Sequence, residues 1–130
     1  MMPIGIALSG LAASTVRLTA SASNIANAQT SGSLGGSASA GAQAYQPVAV
    51  AQSAVAGGGV ATRTVPVTPA TVPAYDPDSP AANAQGFVAM PNVDFARETV
   101  NQITALRSYQ ANVTTIRTAD EMQKSLLAIV

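Results

Sequence analysis

A mainly α fold with a small β region is predicted for this chain. An N-terminal and a C-terminal helix form a coiled coil, and a β-hairpin and an extended Pro-rich segment lie between them. Three observations predict it. Apolar residues near the start recur at alternating steps of four and three. The last 39 residues contain neither Pro nor Gly. Seven of the eight prolines and eight of the ten glycines fall between residues 32 and 91. The chain thus divides into residues 1–30, an N-terminal coiled-coil helix; 31–90, a Gly/Pro-rich hairpin and extended region; and 91–130, a C-terminal coiled-coil helix.

In the first segment Ile4, Leu8, Leu11, Thr15, Leu18, Ala22 and Ile25 follow steps of 4, 3, 4, 3, 4 and 3. A mean step of 3.5 residues keeps one apolar seam facing a partner and implies a left-handed supercoil. Small residues (Ala7, Gly10, Ala12, Ala13, Ser14, Ala20) cover much of the remaining surface and allow close helix approach. Pro3 suits a first helical turn. The helix is expected to end near Asn27–Thr30, before the Gly/Ser-rich run at 31–41, which reads as a flexible link.

In the middle, Tyr45–Val50 and Val60–Val67 flank Gly57-Gly58-Gly59 and predict a hairpin. Beyond it Pro66, Pro69, Pro73, Pro77 and Pro80 predict an extended and mostly unpaired path, because Pro has no N–H to donate. Gly86–Met90 reads as a short strand leading into the last helix.

That helix is announced by Asn92 and Asp94, both good capping types, with Glu98 adding negative charge near its start. Val100, Ile103, Leu106, Tyr109, Val113, Ile116, Ala119, Met122, Leu126 and Ile129 follow steps of three and four. Threes outnumber fours, so the stripe drifts and predicts contact with more than one neighbour. Helical throughout, 39 residues would span roughly 58 Å.

Composition narrows the function classes. The chain has no His and no Cys, and so lacks the commonest general base and the thiol nucleophile. No Ser has a plausible base, and no enzymatic activity, cofactor or metal is expected. Asp76 and Asp78 form a D-x-D pair in a Pro-rich turn, but cation binding needs several more oxygen ligands. Six basic and six acidic residues give zero net charge, which offers no handle for nucleic acid and favours self-association. The charges are uneven: residues 1–62 hold Arg17 alone and residues 94–124 hold eight. Asp94 reads as a cap, and Glu98, Asp120 and Glu121 as solvated helix charges, with Arg117 and Glu121 spaced for an i,i+4 pair.

Ala20-Ser21-Ala22 resembles a signal cleavage site, but no basic residue precedes the apolar start, so no cleaved signal is expected. No stretch reaches the ~18 uninterrupted apolar residues of a membrane span. Much of the apolar fraction is Ala and Val, which build only a thin core. The two ends are therefore expected to need partners in order to hold together.

Several motifs carry a family resemblance. Ser23-Asn24-Ile25-Ala26-Asn27-Ala28, following an N-terminal heptad helix, resembles the signature of flagellar basal-body rod and hook proteins. Tyr75-Asp76-Pro77, Gly86-Phe87-Val88, Met90-Pro91-Asn92-Val93-Asp94 and Arg107-Ser108-Tyr109-Gln110-Ala111-Asn112 are similar to the proximal-rod members. The resemblance covers about residues 4–30 and 73–130. It implies export through the flagellar type III apparatus and polymerisation into a hollow rod crossing the periplasm. It also implies torque transmission to the hook, with the terminal helices as the inner layer. Implied partners are further copies, other proximal and distal rod subunits, a rod-base adaptor protein and the export apparatus. Nucleic acid and direct membrane insertion are not implied.

On this reading the assembly and packing residues are Ile4, Leu8, Leu11, Leu18, Asn24, Ile25 and Asn27 from the first segment. From the last they are Val100, Ile103, Leu106, Tyr109, Gln110, Asn112, Val113, Ile116 and Leu126. Asn24 and Asn27 have two readings, local termination of the helix or hydrogen bonding between subunits. Other functions compatible with the residues are a different flagellar axial subunit, or a secreted binding module with a helical stalk.

Overall fold

The structure, a computed structural model, describes residues 3–34 and 43–128. Two helices and two small antiparallel sheets follow in the order α1 (Pro3–Ala26), β1 (Val48–Ala54), β2 (Val60–Pro66), β3 (Thr71–Tyr75), β4 (Phe87–Pro91) and α2 (Phe95–Leu127). The architecture is mainly α with some β. Most of the link expected at 31–41 lies outside the described residues, as does Ile129. Gly32 is described, and it is paired: it exchanges two backbone hydrogen bonds with Ala89, of 2.9 and 2.8 Å.

α1 starts at Pro3 and ends at Ala26, where Asn27–Gln29 turn off the axis and the Thr30 N–H donates to the Asn27 carbonyl. α2 is capped by Asp94. Its backbone is extended, and its carboxylate accepts from the N–H groups of Ala96 and Arg97 at 2.9 and 3.1 Å. Asn92, the other capping candidate, instead ties the chain to the approach of β3, donating its side-chain amide to the Pro69 carbonyl. The i,i+4 ion pair that forms among the described residues is Lys124 with Asp120 at 2.6 Å, rather than Arg117 with Glu121.

β1 and β2 form the expected hairpin, closed by Gly57, Gly58 and Gly59 with φ of 91°, 93° and 105°, which L side chains rarely adopt. β3 corrects the expectation of an unpaired path through Pro73. Thr71–Tyr75 is laddered to Phe87–Pro91, with Pro73 opposite Ala89. Ala89 spends its N–H and C=O on Gly32, away from β3, so the Pro73–Ala89 position carries no ladder hydrogen bond. Proline there costs the sheet nothing. Pro66 follows the same logic, because its partner Val48 also turns its backbone groups away from β2. The β3–β4 connection is held by Asn83, whose side-chain oxygen accepts from Gln85 and Phe87, and by an edge-to-face contact of Tyr75 with Phe87.

The interior is thin. Its apolar members are Ala7, Ala13, Ala20, Ala28, Val88, Ala89, Ala105 and Ala119, and the largest fully buried side chains are Val88, Asn24 and Pro47. By length and mean hydropathy α1 is long and apolar enough to cross a membrane, although Ser9, Ser14, Thr15, Arg17 and Thr19 interrupt its apolar run. Its buried side, however, carries Ser14, Ser21 and Asn24 and is spent on α2 and the hairpin.

Candidate assembly surface

α1 and α2 run antiparallel: Gly10 faces Asn112, while Ser21 reaches Glu98. The packed stripe on α1 is Ala7, Gly10, Ser14, Ser21 and Asn24, repeating by threes, fours and sevens, and Ala28 follows four residues on in the turn beyond the helix. Its counterpart on α2 is Glu98, Ala105, Asn112 and Ala119, seven residues apart each time. These side chains are small or polar, which lets the backbones come close. A Cβ on Gly10 would lie 2.7 Å from the Asn112 amide.

The polar members form one network. Asn24, 1% exposed, uses all four hydrogen-bonding positions of its amide. Its nitrogen donates to the Val48 carbonyl (2.8 Å) and to Glu98 Oε1 (2.9 Å). Its oxygen accepts from the Val48 N–H (3.0 Å) and the Tyr45 hydroxyl (3.1 Å). Ser21 Oγ donates to the Glu98 carbonyl, and Asn101 donates to Glu98 Oε2. One asparagine thus joins α1, β1 and α2. At the far end of the hairpin Ser9 Oγ accepts from the Val60 N–H, so α1 pins both strands.

The bulkier apolar residues lie elsewhere. On α1, Leu8 and Leu18 are 60% and 41% exposed, while Ile4, Leu11 and Ile25 are half-buried. On α2, Val100, Ile103, Leu106, Tyr109, Gln110 and Leu126 are exposed, and Asn112, Val113 and Ile116 are half-buried. Every described residue from Asp120 to Ala128 is exposed, including Met122, Leu126 and Leu127. The 3.5-residue seam expected from Ile4 to Ile25 is therefore not the stripe that α2 covers. It lies beside that stripe, running along the helix as a partly open apolar strip.

The structure draws Asn24 and Asn112 into the intrachain packing. Asn27 keeps a local role, donating to the Ser23 carbonyl one turn back. Glu98 corrects its reading as a solvated charge: it is 9% exposed and sits at the centre of the network. Ser21 and Ala105 are packing residues that the periodicity reading does not include, whereas Ala119, a member of the predicted α2 stripe, is buried. The seven-residue recurrence of Ala7, Ser14, Ser21 and Ala28, matched by Glu98, Ala105, Asn112 and Ala119, was the available signal.

Residues 84–129 match the family described as "Flagellar basal body rod FlgEFG protein C-terminal". The chain is 38% identical over 127 residues to the flagellar basal-body rod protein FlgC of Escherichia coli O6:H1, covering 95% of this chain and 92% of that protein. It is 36% identical to FlgC of Salmonella typhimurium and 40% identical to FlgC of Yersinia enterocolitica, with the same coverage.

Proposed function

This chain belongs to the family of the flagellar basal-body rod protein FlgC, and from that membership we propose how it builds the rod. Its role is structural, as a subunit of the flagellar basal body that assembles with other rod components. In the proposed arrangement each protomer contributes α1 and α2 to an inner layer, where they form coiled coils with helices of neighbouring subunits. The hairpin and the β3–β4 sheet lie outside that layer.

The observation that carries this reading is the mismatch between the two stripes on α1. The protomer spends its small and polar stripe on its own α2 and leaves Leu8 and Leu18 exposed. Exposed apolar strips of this kind mark association surfaces. Val100, Ile103, Leu106 and Leu126 supply the complementary apolar area on α2. Zero net charge lets many copies pack without accumulating repulsion.

The resulting tube is the proximal part of a hollow drive shaft crossing the periplasm and carrying torque from motor to hook. Close-packed helices along the axis resist shear and compression. Its neighbours are further copies, proximal and distal rod subunits and a rod-base adaptor. Delivery is by the flagellar type III export apparatus without a cleaved signal. Passage through such a channel suits a chain with a thin core and no Cys.

Deleting the gene and imaging isolated basal bodies tests the proposal. The expected result is non-motile cells whose basal bodies stop before the distal rod, with rods restored by the intact gene. Complete rods in the deletion strain would reject it.

A further inference from the structure

A cleft of about 320 Å³ opens between β1 and the start of α2, bordered by Arg17 of α1. That volume is at the lower edge of the roughly 300–1,000 Å³ typical of small-ligand sites. It suits a few residues of peptide. Asp94 and Glu98 line it, but their carboxylates are engaged by N–H donors: Ala96 and Arg97 for Asp94, Asn24 and Asn101 for Glu98. Arg17 and Arg97 line it as well, and neither guanidinium has a hydrogen-bond or ion-pair acceptor among the described residues. Arg17 is half-buried, which makes an unmatched cation there more costly than on the open surface. The opposite wall is the outer edge of β1. Val48 turns its N–H and C=O away from β2, and so, two residues on, does Val50. Asn24 satisfies Val48, and Val50 keeps an N–H and a C=O that no neighbouring strand takes up.

The cleft thus offers two guanidinium donors beside a free strand edge. Its guanidinium groups fit a segment that carries exposed, unpaired carboxylates. In this sequence the acidic residues ahead of Asp94 are Asp76 and Asp78. Both lie in the exposed turn after β3, which the Ser79 N–H closes onto the Asp76 carbonyl, and neither carboxylate accepts a hydrogen bond or forms an ion pair among the described residues. We infer that the cleft beside Arg17 and Arg97 receives the Asp76–Asp78 turn of a second copy of this chain. The cleft and the turn are different surfaces, so the contact is head-to-tail and propagates along a helical assembly instead of closing a dimer. It rests on the rod reading above and adds an outer contact to it.

The absence of Cys makes a direct test possible. Two differently tagged copies, one Arg97→Cys and the other Asp78→Cys, are produced together in cells lacking the original gene, and basal bodies are isolated without reductant. Both substitutions fall on exposed residues. The expected result is a disulfide-linked dimer carrying both tags, at least tenfold above that of a control pair, Arg97→Cys with Asp120→Cys. Detection of both tags in the basal body without that dimer overturns the contact while leaving the rod reading intact. Absence of the tagged chains from basal bodies of swimming cells overturns both. A charge exchange gives a second readout. Arg97→Asp or Asp78→Arg alone is expected to reduce swarm diameter at least twofold, and the two together to restore most of it. An additive loss in the double variant counts against the contact.

Discussion

The side-chain amide of Asn24 pairs with both the N–H and the C=O of Val48, at 3.0 and 2.8 Å, and so takes the place of a neighbouring strand at the start of β1. The same amide holds Glu98 on α2. Asn24→Ala removes all four bonds and leaves buried donors and acceptors unmatched, each costing about 1–3 kcal/mol. A loss of at least about 2 kcal/mol is expected in urea denaturation followed by circular dichroism. Asn24→Asp is expected to cost more, because it sets an oxygen against the Val48 carbonyl and Glu98.

Gly10 and Asn112 set how closely the helices approach. A Cβ at position 10 would meet the Asn112 amide at 2.7 Å, and that amide also donates to the Ser108 carbonyl. Gly10→Ala brings two opposed effects: better helix propensity, by about 0.8–1.0 kcal/mol, and a displaced Asn112. A net loss is expected for the single variant. The double variant Gly10→Ala with Asn112→Ala, which removes the obstruction, is expected to regain the wild-type melting temperature or exceed it.

Leu8 separates folding from assembly. It is 60% exposed, so Leu8→Glu is expected to change protomer stability by no more than about 0.5 kcal/mol. The same variant places a charge in the proposed intersubunit seam and is expected to abolish motility and incorporation into basal bodies. Normal swimming by that strain would remove this strip from the assembly.

Asp94 satisfies two N–H groups at the start of α2. Asp94→Ala is expected to cost about 1 kcal/mol, and Asp94→Asn less, as read from thermal unfolding.

Two neighbouring positions in β3 are expected to respond oppositely. Pro73 faces away from the ladder, so Pro73→Ala should be close to neutral. Val72 lies at the adjacent ladder position opposite Met90, and Val72→Pro should destabilise the sheet by removing a hydrogen bond. Hydrogen exchange at Met90 and Val88 reports the difference.

Much of the local structure was legible in the chain. Capping at Asp94, the triple-glycine turn, the strand before α2 and the presence of both helices follow from residue types acting over a few neighbours. Pro73 was misread because composition marks proline as incompatible with pairing, whereas its parity relative to Gly32 and Ala89 decides the matter. Glu98 was misread because nothing within α2 distinguishes a buried carboxylate from a solvated one. Beside Asn101 on the same helix, its carboxylate is held by Asn24 and its carbonyl by Ser21, both more than seventy positions away.

By itself the sequence determined that this protein has two long helices, a hairpin between them and an interior built from small apolar residues. Only the tertiary structure decided which stripe of α1 is spent inside the protomer. Periodicity records that several faces of a helix can pack, and the larger side chains draw attention first. Close antiparallel approach rewards the smallest side chains, however, because Gly10, Ser14 and Ser21 let the backbones meet and let Asn24 reach Val48 and Glu98 together. The apolar strip from Ile4 to Ile25 is left beside that contact, partly open along the helix.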